Sequence, residues 1–232
     1  MAGINKSTLA RKFAMALSGL FLVLFLLQHF TINFTSVVSP STFNEISHFM
    51  GNNFVVQAIL QPILIAGVVF HFVMGFVLEI KNNKARKIKY DKFNGAANST
   101  WMSRNMIISG IVVLAFLGLH FYDFWIPEMI HKYVESHPDD PTRYYDETIA
   151  KFTGDPIRTG LYAFSFIFLM LHLLHGFASS FQSLGTKNKY QEGLGGYKSG
   201  TSRFIRKFTT AYAVVIPMGF VFIALYHYFN NL

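Results

Sequence analysis

The sequence predicts an all-α membrane protein, a bundle of five transmembrane helices in one domain over 1–232. Hydrophobic residues make up 52% of the chain and charged residues only 14%, which is too apolar for an ordinary soluble domain. Five apolar runs each satisfy the requirement of roughly 20 residues to cross a bilayer. With no cysteine, disulfides and iron–sulfur clusters are excluded within this chain.

The apolar runs place the spans near 13–34, 54–80, 105–126, 157–183 and 206–229. The first run is too long for a cleaved signal peptide and no Ala-x-Ala site closes it, so we expect it in the mature protein. The segment 123–158 is polar and acidic. We expect it to form a small external excursion with a turn or two of helix.

Lysine and arginine residues set the predicted orientation. Of the 20 basic residues, sixteen fall in 1–12, 81–104 and 184–207, which lie at one end of the spans. Because cytoplasmic segments carry this excess, the N-terminus is predicted to be cytoplasmic and the C-terminus outside. The net charge of +8 then reflects topology, and no nucleic acid partner is expected. The basic face could also contact anionic lipid or a partner protein.

An internal repeat organises the spans. A Ser-Gly pair and a His-Phe pair, nine residues apart, occur in the first and third spans, and a His-x-x-x-Gly motif occurs in the second and fourth. The chain is therefore interpreted as a duplicated two-helix hairpin followed by a fifth helix. The matching pairs are Ser18-Gly19 with Ser109-Gly110, His29 with His120, and His71 and Gly75 with His172 and Gly176.

Two of the histidines are predicted to share an outer site. His29 and His120 lie sixteen or seventeen residues beyond the basic anchors Lys12 and Arg104. At 1.5 Å per residue both stand about 25 Å from the inner boundary.

A second pair is predicted nearer the inner boundary. His71 lies ten residues before Lys81, or about 15 Å from that boundary. Its partner must come from the fourth span, where His172 and His175 both suit by depth. We choose His172 because it alone repeats the glycine spacing of His71.

Two histidine pairs at different depths suit a flat prosthetic group that brings its own ligands. Zinc usually takes a third or fourth protein ligand. Because we assign Asp123 to the external segment, Glu79 is the only carboxylate expected within the spans, which disfavours a zinc site. A haem needs two axial nitrogens, and a bis-histidine haem has no open position for oxygen and moves electrons. The sequence therefore predicts two stacked haems. The alternative is that the histidines are packing devices, hydrogen-bonded across helices.

Several motifs together carry a family resemblance. They are Phe-Leu-Leu-Gln-His at 25–29, Phe43-Asn44, His48-Phe49-Met50, Phe70-His71 with Gly75, and His172 with Gly176 and Gly185. In this combination the chain resembles the cytochrome b membrane anchor of succinate dehydrogenases and fumarate reductases, specifically the single-chain, five-helix, two-haem type.

The resemblance implies two haem b groups, with His29 and His120 as axial ligands of the outer haem and His71 and His172 of the inner haem. It implies a flavoprotein subunit and an iron–sulfur subunit on the cytoplasmic face, menaquinone as the quinone, and the inner (cytoplasmic) membrane of a bacterium. The chain would be the electron-transfer subunit of a succinate:quinone oxidoreductase, in the respiratory chain and tricarboxylic acid cycle, without binding the dicarboxylate. The direction of catalysis stays open, as does dimerisation of such complexes.

Haem propionates need basic or hydrogen-bonding groups at helix ends. On the inner side the candidates are Ser18, Trp101, Arg104 and Lys187. His175 is a candidate for supporting a ligand, or a histidine satisfied by packing.

Quinone chemistry couples electrons to protons, so a titratable group should stand near the outer haem. The candidates there are Gln28, Asn33, Glu45 and His48. Some members of the family carry an acid just after the phenylalanine-containing stretch that precedes the second helix. This chain has Gly51 there, so a quinol site gated by an acid at that place is not expected.

Two other classes of protein remain as alternatives. The quinone-reactive cytochrome b of a hydrogenase or formate dehydrogenase would share the haems. A histidine-relay transporter would show intramembrane Asp or Glu and interrupted helices. His227, at the outer end of the last span, is expected to be an interfacial anchor.

Overall fold

The computed structural model describes residues 8–85, 105–135, 140–185 and 200–230, and the regular structure in these ranges is helical throughout. Five helical stretches there are long and apolar enough to cross a membrane: Leu9–Val38, Val56–Lys84, Met106–Glu135, Pro156–Ser183 and Ser202–Asn230. The predicted all-α, five-helix membrane fold is therefore confirmed. The side of the membrane on which each terminus lies stays a prediction.

Eight α-helices and three π-helical turns make up the described chain. The helices are α1 (Thr8–Val38), α2 (Pro40–Asn52), α3 (Gln61–Ala85), α4 (Met106–His120), α5 (Ile126–Ile130), α6 (Arg143–Phe152), α7 (Pro156–Ser183) and α8 (Gly200–Asn230). The π-helical turns are Val56–Leu60, which leads into α3, and Phe121–Trp125 and His131–Glu135, which flank α5. We call the end of the bundle where α1 begins the inner end, and the end where α1 finishes the outer end.

The helices extend beyond most of the predicted span boundaries, because hydropathy detects only the part of a helix that suits hydrocarbon. The largest difference is in the third span, predicted to end at 126 and continuing to Glu135. Asp123 therefore lies on a spanning helix, and its assignment to the external segment was wrong. That segment does contain a helix, α6, which at ten residues is longer than the turn or two expected.

Local sequence fixes where α7 begins and ends. Asp155 caps its start by accepting a hydrogen bond from the backbone N–H of Arg158 at 2.8 Å, and Pro156 occupies the first turn, the usual place for a helical proline. Gly185 follows the end with φ of +78°, a conformation that favours glycine at a helix C-terminus.

The apolar core lies mainly between α7 and α8. α7 packs against α1, α4 and α8, whereas α3 packs against α1 and α4. No residue is buried in the most apolar stretch of Val56–Lys84. In the most apolar stretch of Ser202–Asn230, 44% of the residues are buried. One long side of α3, which includes Leu64, Val68 and Gly75, faces an internal cavity. The core side chains are Val23, Phe152, Tyr162, Phe166, Leu173, Phe177, Tyr212, Ala213, Ile216, Phe220, Ile223 and Ala224.

His227 is a buried packing residue, so its prediction as an interfacial anchor was wrong. Its side chain is fully buried between α1 and α8, with Nε2 2.8 Å from the Ser36 hydroxyl. That hydroxyl donates its single proton to the Asn33 carbonyl at 2.6 Å, so the His227 Nε2–H donates to Ser36. Hydropathy shows only that His227 lies near the end of an apolar helix, and it does not show that other helices cover the side chain.

Contact between α8 and α1 requires a glycine at one position. A Cβ at Gly219 would overlap with Cε2 of Phe30. We expect Gly219→Ala to displace the Phe30 ring at a cost of about 1–3 kcal/mol and to lower the thermal midpoint in detergent. The control is Gly160→Ala in α7, where a Cβ meets nothing within 4 Å. Equal midpoints for the two variants would contradict this packing.

Candidate functional site

One cavity of about 850 Å³ runs through the bundle between α3 and the other spanning helices. All four predicted ligand histidines line it: His29, His71, His120 and His172. Lys12, Glu79 and Asn82 line its inner end, and Trp125, Thr148 and Phe152 its outer end. The predicted ligands are therefore brought together in one internal space.

The outer pair consists of His29 on α1 and His120 on α4. Their ring centroids lie 5.7 Å apart, with the ring planes at 84°. Each ring stacks on a phenylalanine one turn earlier on its own helix, Phe25 at 5.4 Å and Phe116 at 5.7 Å. The buried Nδ1 of His120 has no hydrogen-bond partner within the described part of the chain. A buried polar atom without a hydrogen-bond partner destabilises the fold unless a ligand satisfies it.

The inner pair consists of His71 on α3 and His172 on α7. Their ring centroids lie 6.3 Å apart with the planes at 70°. His175, the other residue considered as a partner for His71, also lines the cavity about one turn further along α7. The ring opposite His71 is nevertheless that of His172, as the glycine spacing suggested.

Two serine hydroxyls fix the protonation of the inner pair. The Ser18 hydroxyl donates to the Met15 carbonyl at 2.9 Å and lies 3.0 Å from Nδ1 of His71. Because a hydroxyl has only one proton, the His71 Nδ1–H must donate to Ser18. A neutral imidazole protonated on Nδ1 keeps a lone pair on Nε2, which is the form that binds a metal.

The same arrangement recurs in the second hairpin. The Ser109 hydroxyl donates to the Met106 carbonyl at 2.9 Å and lies 3.3 Å from Nδ1 of His172. His172 is therefore assigned the same tautomer as His71. Ser18 was a propionate candidate, but the structure places it against a ligand histidine. Ser109 appeared in the sequence only as part of the repeat, and its role follows from the matching position.

The repeated glycines allow helices and rings to approach closely. A Cβ at Gly19 would lie 3.4 Å from Cε1 of His71, and one at Gly110 would lie 3.6 Å from Cε1 of His172. A side chain larger than alanine at either place would push the imidazole away. The glycines of the His-x-x-x-Gly motifs face methionines of the partner helix: a Cβ at Gly75 would lie 3.8 Å from Cε of Met15, and one at Gly176 3.1 Å from Cε of Met106.

The remaining predicted site residues separate into three groups. Asn33 lines the cavity, and its amide donates to the His29 carbonyl at 2.8 Å. Gln28 and Glu45 are exposed and His48 is partly buried, and these three lie outside the set of residues that line the cavity. Trp101, Arg104 and Lys187 lie outside the described residues.

His48 belongs instead to a polar cluster that fastens α6 over the outer end. Its Nε2–H donates to the Asp140 carbonyl at 3.0 Å, and its ring lies edge-on to Tyr144 at 4.8 Å. Glu128 joins the cluster, pairing with Arg143 at 2.6 Å and accepting from the Tyr144 hydroxyl at 2.7 Å. Because Thr148 and Phe152 of α6 line the cavity, this cluster keeps its outer end covered.

Burial and charge stabilise the cluster in a defined protonation state. Burial, with the hydrogen bond to Glu128, raises the pKa of Tyr144, so the phenol stays protonated and donates. Burial alone would lower the pKa of Arg143, but its bonds to Glu128 and Glu147 outweigh this and raise it. Arg143 therefore remains a cation throughout the physiological range.

Asp123, Tyr162 and Arg158 form a buried polar group that the sequence analysis missed. Asp123 follows His120 on a π-helical turn and is fully buried. It accepts a hydrogen bond from the Tyr162 hydroxyl at 2.8 Å, and Nε of Arg158 lies 3.7 Å away. The expectation that Glu79 is the only carboxylate within the spans was therefore wrong. The polar residues that follow from Glu128 onward led to the assignment of Asp123 to the external segment.

The geometry fits a group that needs two axial nitrogens. Two imidazoles on opposite sides of one metal, each bonded at about 2 Å, have ring centroids roughly 6 Å apart, close to the 5.7 and 6.3 Å found here. Within the described ranges no three His, Asp or Glu side chains converge to hold a metal ion by themselves. The donor set therefore suits a macrocycle that supplies the other ligands.

Comparison of the chain with protein-family models, with curated proteins and with solved structures gave no match.

Proposed function

We propose that this chain is a di-haem cytochrome b, the membrane-anchor subunit of a succinate:quinone oxidoreductase. The observation that carries the haem assignment is the pair of opposed imidazoles that occurs twice, at two depths, along one cavity. In this proposal His29 and His120 hold the outer haem, and His71 and His172 hold the inner haem.

The surroundings of each pair support this assignment. The serine hydroxyls leave the Nε2 lone pairs of His71 and His172 available to a metal. Phenylalanines wall the outer pair, as expected around an apolar macrocycle. Histidines acting only as packing devices would bond each other or fill the space between them, whereas these rings border an open cavity.

A haem with imidazole on both faces carries electrons and leaves no coordination position for oxygen. The residues of this chain would fix the positions of the two irons, exclude water from between them, and hold the inner imidazoles in one tautomer. The stacked arrangement gives a path for electrons along the bundle axis.

The partners and the quinone follow from the family resemblance. A flavoprotein subunit and an iron–sulfur subunit would dock at the cytoplasmic face, and menaquinone would exchange electrons within the bacterial inner membrane. The quinone-reactive cytochrome of a hydrogenase or formate dehydrogenase would share the haems. Isolation of the complex with a flavoprotein that oxidises succinate or reduces fumarate would support the first assignment, whereas isolation with a hydrogenase would contradict it.

A histidine-relay transporter is the second candidate function. The observation that favours it is Asp123, a fully buried carboxylate within a spanning helix, since such residues mark proton paths in transporters. Asp123 does not line the cavity, however, and one buried acid weighs less than two opposed histidine pairs that do. A chain purified without haem would favour the transporter.

The haem assignment predicts a stoichiometry. We expect the purified chain to contain two b-type haems per polypeptide and to show their bands in a reduced-minus-oxidised spectrum. We expect His71→Ala to retain about one. The control is His227→Gln, which alters a buried histidine bonded to Ser36 and outside the cavity lining, and it should retain two. Absence of haem from the wild type would contradict the proposal.

The serine hydrogen bonds predict a graded effect on haem binding. Loss of such a partner typically weakens metal binding by about 10–100-fold. We expect Ser18→Ala and Ser109→Ala each to speed the transfer of one haem to apomyoglobin by a factor of this order and to shift one haem potential, with Ser→Thr restoring both. Ser36→Ala, which removes the bond to His227, is the control. If neither variant changes haem retention or potential, the hydroxyls do not set the ligand tautomer.

A further inference from the structure

We infer that Asp123 is the proton-exchange group of the outer histidine site, linking the aqueous outer surface to the cavity. The inference rests on the proposed function and deepens it, because an electron carrier that gains or loses protons needs a titratable group beside its site.

The position of Asp123 is unusual for a carboxylate. Its side chain is completely buried within a spanning helix, on the π-helical turn that begins immediately after His120. A π-turn inserts an additional residue into a helix and often occurs at functional sites. A carboxylate buried among apolar residues is costly, and a spanning segment retains one by default for function.

The two oxygens of Asp123 have different environments. Oδ2 accepts from the Tyr162 hydroxyl and lies 3.7 Å from Nε of Arg158. Oδ1 is buried and has no hydrogen-bond partner among the described residues. A buried oxygen without a partner is costly, and a purely structural link to α7 would be expected to satisfy both oxygens. Oδ1 is therefore the atom at which a proton can be received.

Asp123 does not itself line the cavity, but the two side chains that contact it lie towards the cavity and towards the outer surface. Towards the outer surface, Nε of Arg158 also lies 3.7 Å from Oδ2 of Asp155, and these two side chains are 30% and 41% exposed. Towards the interior, Tyr162 lines the cavity, and its ring centroid lies 6.4 Å from that of His120. Tyr162 and Arg158, both on α7, are the polar and charged groups found against Asp123.

The proton balance is simple. Oxidation of a hydroquinone releases two electrons, which the two haems would accept, and two protons. In the inference the first proton binds to Oδ1 of Asp123 and leaves to the outer water, and the second proton then takes the same route. The Tyr162 hydroxyl and the Arg158 guanidinium stabilise the carboxylate each time it is deprotonated. Quinone reduction uses the same groups in the opposite direction.

The test uses the haem-loaded full chain in liposomes and follows haem reduction by the reduced form of 2,3-dimethyl-1,4-naphthoquinone across a range of pH. Asp123→Asn keeps the size and can still accept from Tyr162 but cannot carry a proton. Asp123→Glu tests rescue. Asp146→Asn removes an exposed carboxylate on α6 and is the matched control. Reduction by dithionite, which needs no proton from the site, is measured in parallel.

We expect Asp123→Asn to slow reduction by the naphthoquinol about 100-fold and to lose the pH dependence and the solvent isotope effect of the wild type. Haem content, the optical spectrum and the dithionite rate should be unchanged, Asp123→Glu should recover most of the rate, and Asp146→Asn should match the wild type. A wild-type naphthoquinol rate in Asp123→Asn, or an equal loss in the dithionite rate, would overturn the inference while leaving the haem assignment standing. Absence of haem from the wild type would instead overturn the proposed function, and this inference with it.

Discussion

The arrangement depends on one constraint, which is that polar nitrogen atoms inside a membrane bundle must have partners. Four imidazoles in one cavity present eight ring nitrogens. The chain satisfies Nδ1 of each inner ring with a serine hydroxyl that is itself committed to a backbone carbonyl. This leaves the opposite nitrogen of each ring with its lone pair beside the cavity. The glycines of α1 and α4, the loose packing of α3 and the shape of the cavity all fit a large ligand between the rings.

The internal repeat accounts for the two matching serine–histidine hydrogen bonds of the inner pair. Positions at which the two copies differ indicate where the inner and outer ends of the bundle differ. The methionine, serine, glycine, phenylalanine and histidine of α1 each have an equivalent in α4. At the outer end the equivalence breaks down. Asn33 of α1 faces the cavity, whereas the matching residue of the third spanning helix is Phe124, and Tyr162 of α7 matches Gln61 of α3. The buried acid and its partners occur only in the second copy. Asymmetry of this kind gives one end of the bundle a chemistry that the other lacks.

The five spans and the histidines that pair within them could be predicted, because long apolar runs and a repeated spacing are visible in the sequence alone. Sequence reasoning also favoured His172 over His175 through the glycine spacing. It failed where a polar residue continues a helix beyond its apolar run, as at Asp123, and where a histidine near a helix end is covered by other helices, as at His227. It missed the hydrogen bonds of Ser18 and Ser109 because the tautomer of an imidazole depends on a neighbour more than fifty residues away.

The measurement that tests the central claim most directly is the electron paramagnetic resonance spectrum of the oxidised, purified chain. Two imidazoles on each iron predict only low-spin ferric signals, and ring planes at 84° and 70° predict that these are strongly anisotropic, from two distinguishable centres. A high-spin ferric signal of comparable intensity would show an iron with an open axial position and contradict the paired ligation. A spectrum without any ferric haem signal would contradict the account as a whole.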